Sequence, residues 1–214
     1  MTHKEALWVF DNDGTLYNDF GAGKRFMEIL LPYASNLLQI PIDITEVEIA
    51  RLKNKWATEF SILALAKELK VDFSRMVKDT YLKLDLDQCG ICPDTKTIDT
   101  LGAIRSPKIV FTNNPSEFAR YILDYMKMSH LFIDFIGMEE TNFHSKPDPR
   151  SYRTVETHHP GHEKIFFCDD SLKNLETAHQ LGWKTFWIKP PKATPNSDRH
   201  IILESLSELG NYLS

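Results

Sequence analysis

The chain has 214 residues, 42% of them hydrophobic and 26% charged, enough for one generous domain or one domain carrying an inserted sub-domain. With 25 Lys and Arg against 30 Asp and Glu, the formal charge is −5; this ordinary balance excludes intrinsic disorder and offers no basic excess to recruit nucleic acid or an anionic membrane. The 3 cysteines make no disulfide framework, no stretch approaches the ~18 apolar residues of a membrane span, and the apolar run from Ala6 to Phe10 is too short for a signal-peptide core, so a soluble cytoplasmic protein is expected.

Ala6-Leu-Trp-Val-Phe10 stops abruptly at Asp11-Asn-Asp-Gly-Thr15, which predicts a strand buried on both faces and closed by a glycine turn. From about residue 19 to residue 87 no such run recurs. Instead, Glu46 to Lys70 and Phe73 to Leu86 carry apolar residues at three- and four-residue intervals between charges, the pattern of helices. After Cys92-Pro93 the short apolar runs return, at Lys108 to Thr112, Leu131 to Ile136, Lys164 to Cys168 and Lys184 to Ile188. Helix-like segments separate them, among them Ser116 to Met128 and Ser171 to Leu181.

This alternation predicts an α/β fold with a doubly wound, Rossmann-like parallel sheet. The first strand joins the same sheet, so an all-helical cap of roughly 75 residues must be inserted after it, since an unstructured loop of that length is improbable. The core is expected at residues 1–16 and 95–214 and the cap at 17–94. In open parallel sheets ligands bind beyond the carboxyl ends of the strands. The apolar runs stop there at Asp11-Asn-Asp-Gly-Thr15, Thr112-Asn113-Asn114 and Asp169-Asp170-Ser171, with Ser145-Lys146-Pro147 on an intervening loop. Each cluster alone reads as a turn or helix cap. Their order and placement argue for chemistry.

Phe10-Asp-Asn-Asp-Gly-Thr-Leu-Tyr17 resembles the first motif of the haloacid dehalogenase-like superfamily of phosphohydrolases. Phe111-Thr-Asn113 resembles its second motif, Lys146-Pro-Asp-Pro its third and Asp169-Asp-Ser its fourth, and the helical insert sits where that family's first type of cap belongs. The resemblance implies a Mg²⁺-dependent phosphomonoester hydrolase with Asp11 as nucleophile and Asp13 as general acid and base. It also implies that Asp11, the main-chain carbonyl of Asp13 and Asp170 ligate the metal, with Asp169 beside them. Asn174 stands where some members have a further Asp. Thr112, Asn113 and Lys146 are the candidate phosphate-binding residues, Lys146 bringing a compact positive charge on a long stem.

Tyr17, Phe20, Lys24, Arg25 and Trp56 are the cap-side candidates to meet the organic part of a substrate, with core packing or plain solvation the equal alternative for each, as the cap closes on hinges near Tyr17 to Phe20 and Cys92 to Thr95. Asp-Gly-Thr-Leu-Tyr17 and the run Phe167 to Leu175 resemble the pyrimidine 5′-nucleotidase-like branch, which handles nucleoside monophosphates. The expected partner is a small phosphorylated metabolite and no nucleic acid polymer or membrane, with a monomer or homodimer as the acting form. A sugar-phosphate phosphatase or phosphomutase would share every core residue. A dehalogenase needs no metal and does not use the second acid of the first motif, and a phospho-accepting signalling domain has no use for the insert. Cys89-Gly-Ile-Cys92 is expected to be plain hinge, and His158, His159 and His162 a solvated turn.

Overall fold

Strand β1 (Leu7–Phe10) runs through the middle of a six-stranded parallel sheet, and all four of its side chains are buried. The computed structural model describes residues 5–18, 21–194 and 198–212. The chain forms two compact units, Met1–Asn18 with Ile91–Ser214 and Asp19–Gly90.

The first unit holds α5 (Thr95–Ala103), β2 (Lys108–Phe111), α6 (Ser116–Tyr125), β3 (Asp134–Ile136), α7 (Pro149–His158), β4 (Ile165–Asp169), α8 (Leu172–Gln180), β5 (Lys184–Ile188) and β6 (Ile201–Leu203). The strand order is β3-β2-β1-β4-β5-β6, all parallel. Because side chains alternate across a strand, Leu7, Val9, Ile109, Phe111 and Phe167 share one face. Tyr152 and Val155 of α7 and Leu175 and Ala178 of α8 close over that face, and Trp183 completes the cluster. Tyr152 anchors it, edge-on to Phe111 at 5.3 Å and Phe167 at 6.1 Å, with its hydroxyl donating to the Asn174 carbonyl at 2.8 Å. On the opposite face Trp8 packs against Phe166 and Phe186 at 4.5 and 5.4 Å.

The run from Leu131 to Ile136 is not one strand. A 3-10 turn at Ser129–Leu131 precedes it, Phe132 turns inward onto Phe10, and only Asp134–Ile136 pairs, at the sheet edge. Helices α5 and α7 begin at aspartates, Asp94 and Asp148, whose carboxylates accept N–H groups of their first turns.

The elements of the second unit, among its described residues, are helices joined by loops: α1 (Ala22–Leu38), α2 (Ile42–Lys55), α3 (Ser61–Leu69) and α4 (Phe73–Asp79), followed by a 3-10 turn at Tyr81–Lys83. Leu30, Ala34, Ile49, Leu52, Ile62, Leu65 and Met76 form its own core, so the segment buries enough apolar surface to be a structural unit. No helix of the described residues is long and apolar enough to cross a membrane.

Candidate active site

Strand β1 lies between β2 and β4, with Phe10 in register with Val110 on one side and Cys168 on the other. One residue beyond, Asp11 therefore emerges beside the ends of both neighbours, where the order of connections reverses across the sheet. Thr112 follows β2, Asp169 ends β4 and Asp170 follows it.

Lys146 joins these ends. Its Nζ donates to Asp11 Oδ1 at 2.7 Å, to Asp169 Oδ2 at 2.9 Å and to the Phe111 carbonyl at 2.8 Å, with the side chain only 1% exposed. The rings of Phe111 and Phe167, 5.0 and 5.3 Å away, add cation–π contacts. Asn113 fixes the lysine's backbone from both sides: its Oδ1 accepts the Lys146 N–H at 2.7 Å and its Nδ2 donates to the Lys146 carbonyl at 3.1 Å. The Lys146-Pro147 peptide bond is cis.

Asp169 is fully buried and saturated, accepting from Lys146, from the Ser171 N–H at 2.8 Å and from Asn174 Nδ2 at 3.0 Å to each oxygen. The Asp170 carboxylate takes no side-chain hydrogen bond among the described residues, while its carbonyl accepts the Trp187 indole N–H at 2.9 Å. Gly14 makes room for it. A Cβ built on Gly14, whose φ is +75°, would lie 2.5 Å from Asp170 Oδ2.

Burial pushes the Asp11 carboxyl well above its ordinary range; Lys146 opposes, and Asp169 and Asp13 reinforce the rise. Burial and Asp169 likewise raise Asp170 to about 6. Lys146 loses proton affinity through burial, but Asp11 and Asp169 more than restore it. Carboxylate oxygens of Asp11, Asp169 and Asp170 lie within 4.8 Å of one another. Three acids facing one ammonium leave surplus negative charge in a poorly solvated place. This hard oxygen donor set fits Mg²⁺, with Asp11 and Asp170 as the side chains whose oxygens are least committed elsewhere.

The Thr112 hydroxyl accepts the Asn114 N–H at 3.1 Å and keeps its own proton to donate. The N–H of Asn113 has no acceptor among the described residues, which leaves it available to an anion.

A family model for haloacid dehalogenase-like hydrolases matches residues 6–182. The chain belongs to that family. No curated protein sequence matches this haloacid dehalogenase-like hydrolase significantly. Solved structures similar to it include a haloacid dehalogenase-like phosphatase from Thermococcus onnurineus, with a TM-score of 0.63, 19% identity and 98% of each chain covered. Another is the magnesium-bound hydrolase YfnB of this superfamily from Bacillus subtilis, with a TM-score of 0.57, 19% identity and 99% of each chain covered. The L-2-haloacid dehalogenase of Xanthobacter autotrophicus has a TM-score of 0.58 at 14% identity, with 96% of each chain covered. At these identities the likeness shows the shared fold.

In this haloacid dehalogenase-like hydrolase, Tyr17 is not where the sequence suggested. It belongs to the first unit, because its backbone closes the turn after β1: its carbonyl accepts the Gly14 N–H at 2.9 Å, and it forms a β-bridge with Asp13. Its hydroxyl donates to Asp13 Oδ1, while Asn114 Nδ2 donates to Asp13 Oδ2 at 2.9 Å. Sequence reasoning overlooked Asn114, although it stands in the same strand-end cluster as Thr112 and Asn113.

Arg25 and Trp56 lie in the second unit. Arg25 is exposed and pairs with Glu28 at 2.9 Å, while Trp56 packs against the unit's own core and donates its indole N–H to Glu68 at 2.9 Å. Lys24 is exposed, and Phe20 lies outside the described residues. All three cysteines are free thiols; Cys89 is buried and Cys92 exposed. Of the histidine cluster, His159 is tied to Asp134 at 2.9 Å and His162 to the Glu5 carbonyl at 2.5 Å.

Proposed function

We propose that this hydrolase cleaves phosphomonoesters through an aspartyl-phosphate on Asp11, with Mg²⁺ as its cofactor. The observation that carries the reading is the acidic group itself: Asp11, Asp169 and Asp170 within 4.8 Å of one another around a single buried lysine, with a further carboxylate at Asp13. A phosphate ester resists attack because nucleophile and target are both anionic, so a site for it needs cationic charge, a carboxylate nucleophile and a proton carrier. Mg²⁺ held by Asp11 and Asp170 would supply the positive charge that Lys146 alone does not. Asp13 argues for a phosphatase rather than a dehalogenase, which has no leaving alkoxide to protonate.

In the first step an Asp11 oxygen attacks phosphorus, the bond from phosphorus to the ester oxygen breaks, and Asp13 delivers its proton to that oxygen. In the second, Asp13 takes a proton from water as the water oxygen bonds to phosphorus. The bond between phosphorus and Asp11 then breaks, releasing phosphate and restoring the carboxylate. Throughout, Lys146 offsets charge on Asp11, and Thr112 and the Asn113 N–H donate to phosphate oxygens.

Nucleoside 5′-monophosphates are the substrate class proposed. The test is phosphate release across nucleoside monophosphates, sugar phosphates and an aryl phosphate, with Mg²⁺ and with excess chelator. Mg²⁺-dependent release, reduced at least ~10²-fold in Asp11→Asn, is the expected result. Undiminished release in chelator, or halide release from a 2-haloacid without phosphate release, would overturn the reading.

A further inference from the structure

We infer that Tyr17 and Asn114 are positioning residues that fix the Asp13 carboxylate for proton transfer, an inference that rests on the phosphohydrolase reading. Asp13 sits in a turn, partly exposed. Two donors from separate segments hold it, one on each oxygen: the Tyr17 hydroxyl, four residues on, and Asn114 Nδ2 at 2.9 Å, 101 residues on. Two bonds to the two oxygens define the carboxylate plane as well as its place.

Both donors are themselves anchored. Tyr17 is 6% exposed, and its carbonyl is bound by the Gly14 N–H at 2.9 Å. Asn114 is held through its own N–H, at 3.1 Å from Thr112 Oγ1, and through its carbonyl, at 3.1 Å from the Met138 N–H. Behind it the backbone is crowded: a Cβ on Gly137 would come within 2.7 Å of the Asn114 carbonyl and 2.3 Å of the Ser116 nitrogen. The Glu139 carboxylate accepts the Ser116 N–H at 3.1 Å, securing the start of α6 immediately after Asn114. Asn114 thus carries the rigidity of the β2 and β3 loops to Asp13.

Proton transfer needs donor and acceptor within about 2.6–3.2 Å and well aligned, and small misplacement of a catalytic group is costly. The cost depends on the leaving group. A basic alkoxide cannot depart without a proton, whereas a nitrophenolate departs nearly unaided, so a displaced Asp13 penalises alkyl esters far more than aryl esters.

The experiment compares wild type, Tyr17→Phe, Asn114→Ala, Asp13→Asn and the Tyr17→Phe/Asp13→Asn double variant with Mg²⁺. It measures kcat/KM on glycerol phosphate and on p-nitrophenyl phosphate, together with melting temperatures. Tyr17→Phe keeps the buried ring and removes only the hydroxyl. It is expected to lower kcat/KM on the alkyl ester about tenfold or more, and on the aryl ester several-fold less. Asn114→Ala should show the same bias, and the double variant should fall no further than Asp13→Asn, the mark of residues acting through one group. Equal loss on both esters in step with a lowered melting temperature, no loss at all, or additive losses in the double variant would overturn the inference while leaving the phosphohydrolase reading intact. A wild-type protein that releases phosphate from neither ester nor from any nucleoside 5′-monophosphate would overturn both.

Discussion

Gly14 and Asp170 compete for one volume: a methyl group at residue 14 would sit 2.5 Å from the Asp170 carboxylate oxygen and 2.8 Å from its Cγ. The fixed Trp187 bond at 2.9 Å to the Asp170 carbonyl leaves only the carboxylate free to retreat. Gly14→Ala should therefore displace the one acid of the cluster without a side-chain partner and strain a left-handed backbone, at roughly 1–2 kcal/mol of stability. A calorimetric melt and a Mg²⁺ titration of activity check this. The expected result is a lower melting temperature and a several-fold higher Mg²⁺ requirement; an unchanged Mg²⁺ requirement would refute the displacement.

Lys146 is the only ammonium bonded to Asp11 and Asp169 among the described residues. Lys146→Met strands two buried carboxylates, and breaking a buried pair in this way costs on the order of 3–5 kcal/mol. Adding Asp169→Asn removes one of the stranded charges and should recover part of the loss in a denaturant melt. Additive destabilisation in the double variant would show that the two residues are not coupled.

The buried hydroxyl of Tyr152, 2.8 Å from the Asn174 carbonyl, lies behind the same acids, and burial, Asp169 and Asp11 together hold its pKa above the usual phenol value. Tyr152→Phe keeps the ring cluster and deletes one hydrogen bond, for a loss of about 1 kcal/mol. A loss above about 3 kcal/mol would mean that the packing had moved as well.

His200 provides a pH dependence away from the acids. Its Nδ1 lies 2.7 Å from Thr185 Oγ1, and burial, aided by His179, presses its pKa below the ordinary value against the opposing pull of Glu176. The unfolded chain protonates this histidine near pH ~6.5, whereas the folded chain resists until lower pH. Its contribution is therefore whole above about 6.5 and is lost as pH falls from there through the folded-state value. Melting temperatures between pH 8 and pH 5 should fall less steeply for His200→Gln than for wild type, and parallel curves would remove His200 as the cause.

The sheet was legible because β1 and β2 are buried on both faces, so that Leu7–Phe10 and Ile109–Phe111 appear as unbroken apolar runs ending in polar residues. Strand β6 was not: Ile201–Leu203 is three residues long at the sheet edge, too short for any period to show. Helix α7 hid behind a polar sequence, its buried stripe reduced to Ser151, Tyr152 and Val155. Asp11, Lys146 and Asp169 were readable because their motifs are local. The contact of Asn114 with Asp13 spans 101 residues, and the need for glycine at 137 arises wholly from another segment's backbone, so neither leaves a local trace. Tyr17 and Trp56 show the converse difficulty: an aromatic ring in a polar neighbourhood reads alike whether it meets a ligand, an aspartate or its own helical core.

The double hold of Asn113 on Lys146 grips only the lysine's main chain, at 2.7 and 3.1 Å. Charge and scaffolding at position 146 are consequently separate inheritances. The ammonium can be exchanged without unfastening the loop that carries it, but the fastener cannot be exchanged even for its isostere, since aspartate offers two acceptors where the lysine's amide and carbonyl require one acceptor and one donor. Position 113, which contributes no charge to the site, is thus the less replaceable of the two for the shape of the loop.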